Sequence, residues 1–190
     1  MIRFALVPCP SEFDERCRRV GLAWLAEHPD ATRPKDFWSP FKSRLAAGFG
    51  DLCAYSCMYE PVGTVDHYLS TTNHRALAYD WSNYRFASQW INSSKQTADE
   101  AVLDPLQVGD DWFEILLPSL QLVLSDAVPE EHRARAAYTL ERLHLRDDER
   151  VIRQRRAWYR MYQEHQLTLA GLRMKAPLIA RAVEKQQRTP

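Results

Sequence analysis

Residues 63–100 read as strand, loop, strand, helix, and this order constrains the chain more than any other feature of its sequence. Gly63 opens a β-prone run, TVDHYL, and a polar loop, STTNHRALAYDWS, leads to a second short run, NYRFA. The next segment, SQWINSSKQTADEA, has a helix-compatible pattern that begins near Ser88.

The flanks read as helices. Ser11 is a candidate cap for a first helix with Phe13, Cys17, Val20, Trp24 and Leu25 on one face, ended by Pro29. After the turn-rich HPDATRPKD, Ser39-Pro40 reads as an N-cap with proline at the first helical position, and this second helix stops near Gly48 and Gly50. The apolar stretch DWFEILLPSLQLVLSD has Pro118-Ser119 at its middle, which suggests a hairpin, with helix as the alternative. Two helices follow. The first runs from about Pro129 to Leu145 with Ala134, Ala137, Tyr138 and Leu140 inward. The second starts near Asp147 and carries Ile152, Trp158, Tyr159, Tyr162 and Leu169 before Pro177 interrupts it. The last residues, EKQQRTP, are expected to fray. The chain therefore reads as α+β, predominantly helical, in three segments: 1–50 helical, 51–105 around the strand pair, and 106–190 an apolar hairpin or helix followed by basic helices.

With 45% hydrophobic residues the chain can bury a core, and it has no apolar run long enough to span a membrane. Four cysteines in 190 residues are too few for a disulfide scaffold, and the N-terminus lacks the pattern of a signal peptide, so a cytoplasmic location is expected. Net charge is zero, but the charge is unevenly placed: residues 131–190 carry 14 Lys and Arg against 7 Asp and Glu, while the first 130 carry 11 against 18. A basic C-terminal third is a candidate phosphate-binding surface, or simply a set of solvated helix faces.

The chemistry-bearing residues lie in the strand–loop–strand–helix segment. Asp66-His67 stands at the end of the first strand, Asn83 at the second strand, 16 positions after His67, and Asn92 in the helix, 25 positions after it. In this order, through TVDHYLS at 64–70, YDWSNYRFAS at 79–88 and INSSK at 91–95, the segment from Leu52 to about Glu100 resembles the HNH endonuclease family in its Asn-ending variant. The resemblance implies a small ββα-metal core and metal-dependent hydrolysis of phosphodiester bonds. In that chemistry a water loses a proton as it attacks phosphorus, and imidazole is well poised to take it near neutral pH. A divalent cation neutralises the charge growing on the oxygens, and hard oxygen ligands suit Mg²⁺ or Mn²⁺. By the resemblance, His67 is the general base, Asp66 and Asn92 are metal ligands, and Asn83 belongs to the catalytic set by holding the loop so that the His67 ring stays aimed.

Many members of the family carry two cysteine pairs around a structural zinc. Here Cys53 and Cys57 are spaced CxxxC, and the second pair would fall on Ser88 and Ile91, so a structural zinc is not expected; Cys9, Cys17 and His74 are the candidates to complete a site. Trp81, Trp90 and Phe86 are expected to pack in its place. Arg75, Arg85 and Lys95 flank the motif, and Arg153, Arg155 and Arg156 sit on the basic helix; all six are candidate nucleic-acid contacts, with surface charge as the plainer reading. His74 is a loop residue near the site that either touches phosphate or is simply solvated. DNA is expected as substrate in preference to RNA. A looser likeness to HNH proteins of bacterial anti-phage defence implies a protein partner such as an ATPase, with the apolar 111–126 segment and the Arg-rich helix as docking surfaces. The alternative is a catalytically inactive HNH-shaped subunit that binds nucleic acid or serves assembly.

Overall fold

A computed structural model describes residues 1–188. A π-helical turn, Asp14–Arg18, runs into helix α1, Arg19–Glu27. Ser11 does not cap this helix, since its hydroxyl turns to Glu12. The wider π turn rotates the expected face, so that Phe13, Cys17 and Gly21 are buried while Val20 is exposed. A Cβ on Gly21 would stand 2.5 Å from the Tyr79 ring, so only glycine lets the helix and the ring approach this closely. A second helical segment opens at Ser39-Pro40, though the N-cap position is Trp38 and not Ser39: a 3₁₀ turn, Ser39–Phe41, leads into α2, Lys42–Gly48, and Gly50 turns the chain away at φ +63°.

Strand β1, Thr64–His67, pairs antiparallel with β2, Tyr84–Ala87, in a register that sets Asp66 opposite Arg85 and His67 opposite Tyr84. Helix α3, Gln89–Lys95, follows β2 directly, with Ser88 as its N-cap. Helix α2 packs on both strands and α3 on β1, which is why no residue of β2 reaches solvent. The expected strand, loop, strand, helix order is therefore present.

The stretch around Pro118-Ser119 forms a hairpin, β3 Phe113–Leu116 with β4 Gln121–Leu124. Trp112, Phe113, Ile115, Leu120 and Leu122 are buried, while Leu116 is exposed and Leu117, Val123 and Leu124 are partly open along this expected docking surface. Helix α4, Glu130–Arg142, buries Ala136, Thr139 and Leu140, whereas Ala134, Ala137 and Tyr138 of the expected inner face are exposed. Thr139 enters the interior because its hydroxyl is satisfied there, donating to the Arg135 carbonyl and accepting from Leu103 N–H.

The next expected helix is divided. Helix α5, Glu149–Gln163, is capped by Asp148; after a turn with His165 at φ +57°, Thr168 caps α6, Leu169–Lys175. Pro177 starts a helix instead of interrupting one: α7, Pro177–Arg188, uses it in the first turn, where a missing N–H is no loss. Residues 184–188 of the expected frayed tail are helical, and Thr189 and Pro190 lie outside the described residues.

The segments 1–50, 51–105 and 106–190 share one apolar core, running from Met1 and Phe13 through Phe86 and Ile91 to Leu140 and Ile179. Backbone bonds cross between them, Phe4 N–H to the Pro105 carbonyl at 2.9 Å and Tyr59 N–H to the Lys175 carbonyl at 2.8 Å. Among the described residues, no helix is long and apolar enough to cross a membrane.

Candidate active site at the end of strand β1

His67 is the last residue of β1, and its Nε2 lies 2.8 Å from the Ala78 carbonyl in the loop between the strands. A carbonyl only accepts, so Nε2 carries the proton and Nδ1 is the basic atom of the ring. The ring stands edge-on to Trp38, centroids 4.6 Å apart, and to Tyr84, 5.0 Å apart. Burial pulls its pKa below the ordinary value, and the Ala78 bond and nearby Asp66 only partly oppose that pull.

The loop that supplies the Ala78 carbonyl is fastened from both ends. Asn83 accepts the Leu69 N–H at 2.8 Å through Oδ1 and donates through Nδ2 to the carbonyls of Leu69, at 2.9 Å, and Leu77, at 3.3 Å. These are the side-chain to backbone bonds expected of it, and they extend the hairpin beyond its last strand pair. At the other end Asp99 accepts from Ser70 N–H at 2.6 Å and from the Asn73 amide at 2.6 Å, with His74 Nε2 at 3.7 Å. Burial pushes the Asp99 pKa upward, but these donors outweigh it and hold the carboxyl below its usual range. His74 is thus a partner of Asp99. Tyr84 hydroxyl also donates to the Ala78 carbonyl, at 2.8 Å.

Asp66 faces the other way, as the strand pleat requires of a neighbour of His67. It is 1% exposed, accepting from the Tyr55 hydroxyl at 2.5 Å and from Lys95 Nζ at 3.0 Å. Lys95, 0% exposed, also donates to the His67 carbonyl at 2.8 Å and so ties the end of α3 to the end of β1. Burial, reinforced by Asp66, pushes the Tyr55 hydroxyl far above its usual pKa, which keeps it a neutral donor. Asn92, partly exposed, reaches the Val65 carbonyl through Nδ2 at 3.4 Å. Asp66, His67 and Asn92 therefore each bond a different interior group.

This donor set does not fit the divalent cation that the resemblance implies. Both Asp66 oxygens are engaged, one of them by an ammonium that already supplies the compensating positive charge. Among the described residues, no three or more His, Cys, Asp and Glu side chains are grouped to hold a metal ion. Cys53 accepts from Ser88 N–H at 3.4 Å and lies 3.7 Å from its hydroxyl, so the serine that stands where a second cysteine pair would begin is indeed packed against the first. Cys57 accepts from Ile2 N–H, Cys9 is exposed, and Cys17 is buried with its thiol pushed up to about 12 by that burial. Trp81 and Phe86 are buried as expected, whereas Trp90 lies partly open beneath the Arg150 guanidinium, 4.2 Å away.

The six candidate nucleic-acid contacts divide sharply. Arg85, 3% exposed, forms a bidentate pair with Asp104, both bonds 2.8 Å. Arg155, 1% exposed, donates to the carbonyls of Leu120, Leu145 and Arg146, and burial lowers its pKa to about 10. Arg75 fastens the 28–31 segment through the carbonyls of His28 and Ala31, and Lys95 is enclosed with Asp66. These four are interior or bridging cations, because each lies where backbone carbonyls or a carboxylate need a donor. Only Arg153 and Arg156 face solvent, Arg153 with a loose partner in Glu149 at 3.9 Å. Sequence reasoning did not single out Tyr55, Trp38, Asp99 or Asp104, which position these groups, and no local motif marks them. No family model matches the sequence, and no curated protein does.

Proposed function

We propose that this chain is an HNH-type endonuclease that hydrolyses phosphodiester bonds in nucleic acid, with DNA as the expected substrate. The observation that carries the reading is the aim of His67: Nε2–H is held by the Ala78 carbonyl, in a loop that Asn83 fastens with three bonds, so Nδ1 is the ring atom left to act as a base. Burial favours the neutral ring, the form that can take a proton near neutral pH. In the proposed step, Nδ1 accepts a proton from water as the water oxygen bonds to phosphorus, the P–O bond to the sugar oxygen of the departing strand breaks, and that oxygen takes a proton from solvent water. Lys95 neutralises Asp66 beneath the strand end, which removes a negative charge that would otherwise repel the phosphate.

A second reading is favoured by the closure of Asp66: a module of this shape that binds nucleic acid or a protein partner without cleaving. Incubation of supercoiled plasmid with the protein, with and without Mg²⁺ or Mn²⁺, separates the two. Nicking by the wild type, reduced by about a hundredfold or more in His67→Ala, is the expected result for loss of a general base. Equal nicking by both proteins would remove His67 from the reaction. Absence of nicking with DNA binding retained would favour the non-catalytic module.

A further inference from the structure

Asp66 and Lys95 form a closed ion pair in which each group is satisfied by the other and by one additional partner. The carboxylate takes Lys95 Nζ at 3.0 Å on Oδ1 and the Tyr55 hydroxyl at 2.5 Å on Oδ2; the ammonium takes Asp66 and the His67 carbonyl at 2.8 Å. Both side chains are almost completely removed from solvent, so neither charge can be relieved by water if the pair is broken. Magnesium demands oxygen ligands at about 2.0–2.1 Å and keeps several waters. An ion at that distance from Oδ1 would crowd an ammonium held 3.0 Å from the same oxygen, and there is no open face for its waters.

We propose that the cation of this centre is the Lys95 ammonium, and that the ammonium and a divalent ion exclude one another at Asp66. The position is the one at which the HNH resemblance calls for a metal ligand, so the pair turns a ligand into a structural anchor joining α3, β1 and the 53–57 turn through Tyr55. The inference concerns cation binding alone and holds whether or not the chain cleaves nucleic acid.

The test is Mn²⁺ titration of the full chain, followed by the electron paramagnetic resonance of free Mn²⁺, for wild type, Lys95→Met, and the double variant Asp66→Asn/Lys95→Met. Wild type is expected to show no saturable site below about 1 mM, the weak end of protein–divalent ion affinities. Lys95→Met, which leaves the carboxylate without its cation, is expected to bind Mn²⁺ at least about tenfold more tightly. The double variant is expected to lose that site again. Stoichiometric binding by wild type in the micromolar range, or no tightening in a folded Lys95→Met protein, would overturn the proposal. Should Lys95→Met fail to fold, the wild-type Lys95 ammonium resonance decides. Slow solvent exchange without broadening by Mn²⁺ supports the closed pair, and broadening at substoichiometric Mn²⁺ refutes it.

Discussion

Burial and the Ala78 bond tie the protonation of His67 to folding. Its pKa in the folded chain lies below the ordinary 6.5, so at lower pH the unfolded chain binds a proton that the native ring refuses. Stability is therefore at its full value above 6.5, falls as the pH drops toward the folded value, and levels off below it. Melting curves between pH of about 7.5 and about 5 should show a steeper loss for wild type than for His67→Gln, since glutamine does not titrate; parallel losses would show that other groups dominate. The same ionisation would put an acid limb on any cleavage rate, because the protonated ring cannot act as base. At this scale the sequence brought forward His67 and Asn83 through the resemblance in which they figure, and Asn83 makes the loop-fastening bonds anticipated for it. The partners were not legible. The carbonyl of Ala78, the hydroxyl of Tyr55 and the edge of Trp38 come from residues whose local sequence says nothing of where they will stand.

Elements followed the sequence wherever punctuation was strong. Gly63, the polar 70–82 loop and Ser88 bracket two strands and a helix close to where β1, β2 and α3 occur, and Pro118-Ser119 marks the β3–β4 turn. Helix faces were read less well. Thr139 replaces the alanines of the expected α4 face because two hydrogen bonds await it inside, and the π turn before α1 moves the buried stripe by enough to expose Val20. Gly21 offers a test of that packing. Alanine there gains up to about 1 kcal/mol of helix propensity. Its Cβ, however, would fall 2.5 Å from the Tyr79 ring, and overpacking of this kind costs about 1–3 kcal/mol. Gly21→Ala should thus lower the denaturant midpoint; a raised midpoint would mean that Tyr79 moves aside without cost.

Across the whole molecule, most cations behind the +7 balance of residues 131–190 face solvent or are half-buried, and Arg155 is the buried exception. Arg155 satisfies three carbonyls between α5 and the hairpin, and the exposed remainder of the expected α5 set is Arg153 and Arg156. If that face meets the nucleic-acid backbone, Arg153→Gln/Arg156→Gln should weaken DNA binding and lower its log–log salt slope by about 0.9 for each lost phosphate contact, without changing the melting temperature. An unchanged slope would assign the α5 face to another role. The sequence by itself determined the mixed helical character, the strand–loop–strand–helix order and the residue types gathered at the end of β1. Those features depend on local propensity, turn residues and hydrophobic pattern, all of which act over a few residues. Tertiary structure alone decided which charges are enclosed. Lys95 and Arg85 look like surface cations in a linear reading, yet they lie inside because Asp66 and Asp104, brought from other segments, supply the opposite charge that makes burial tolerable.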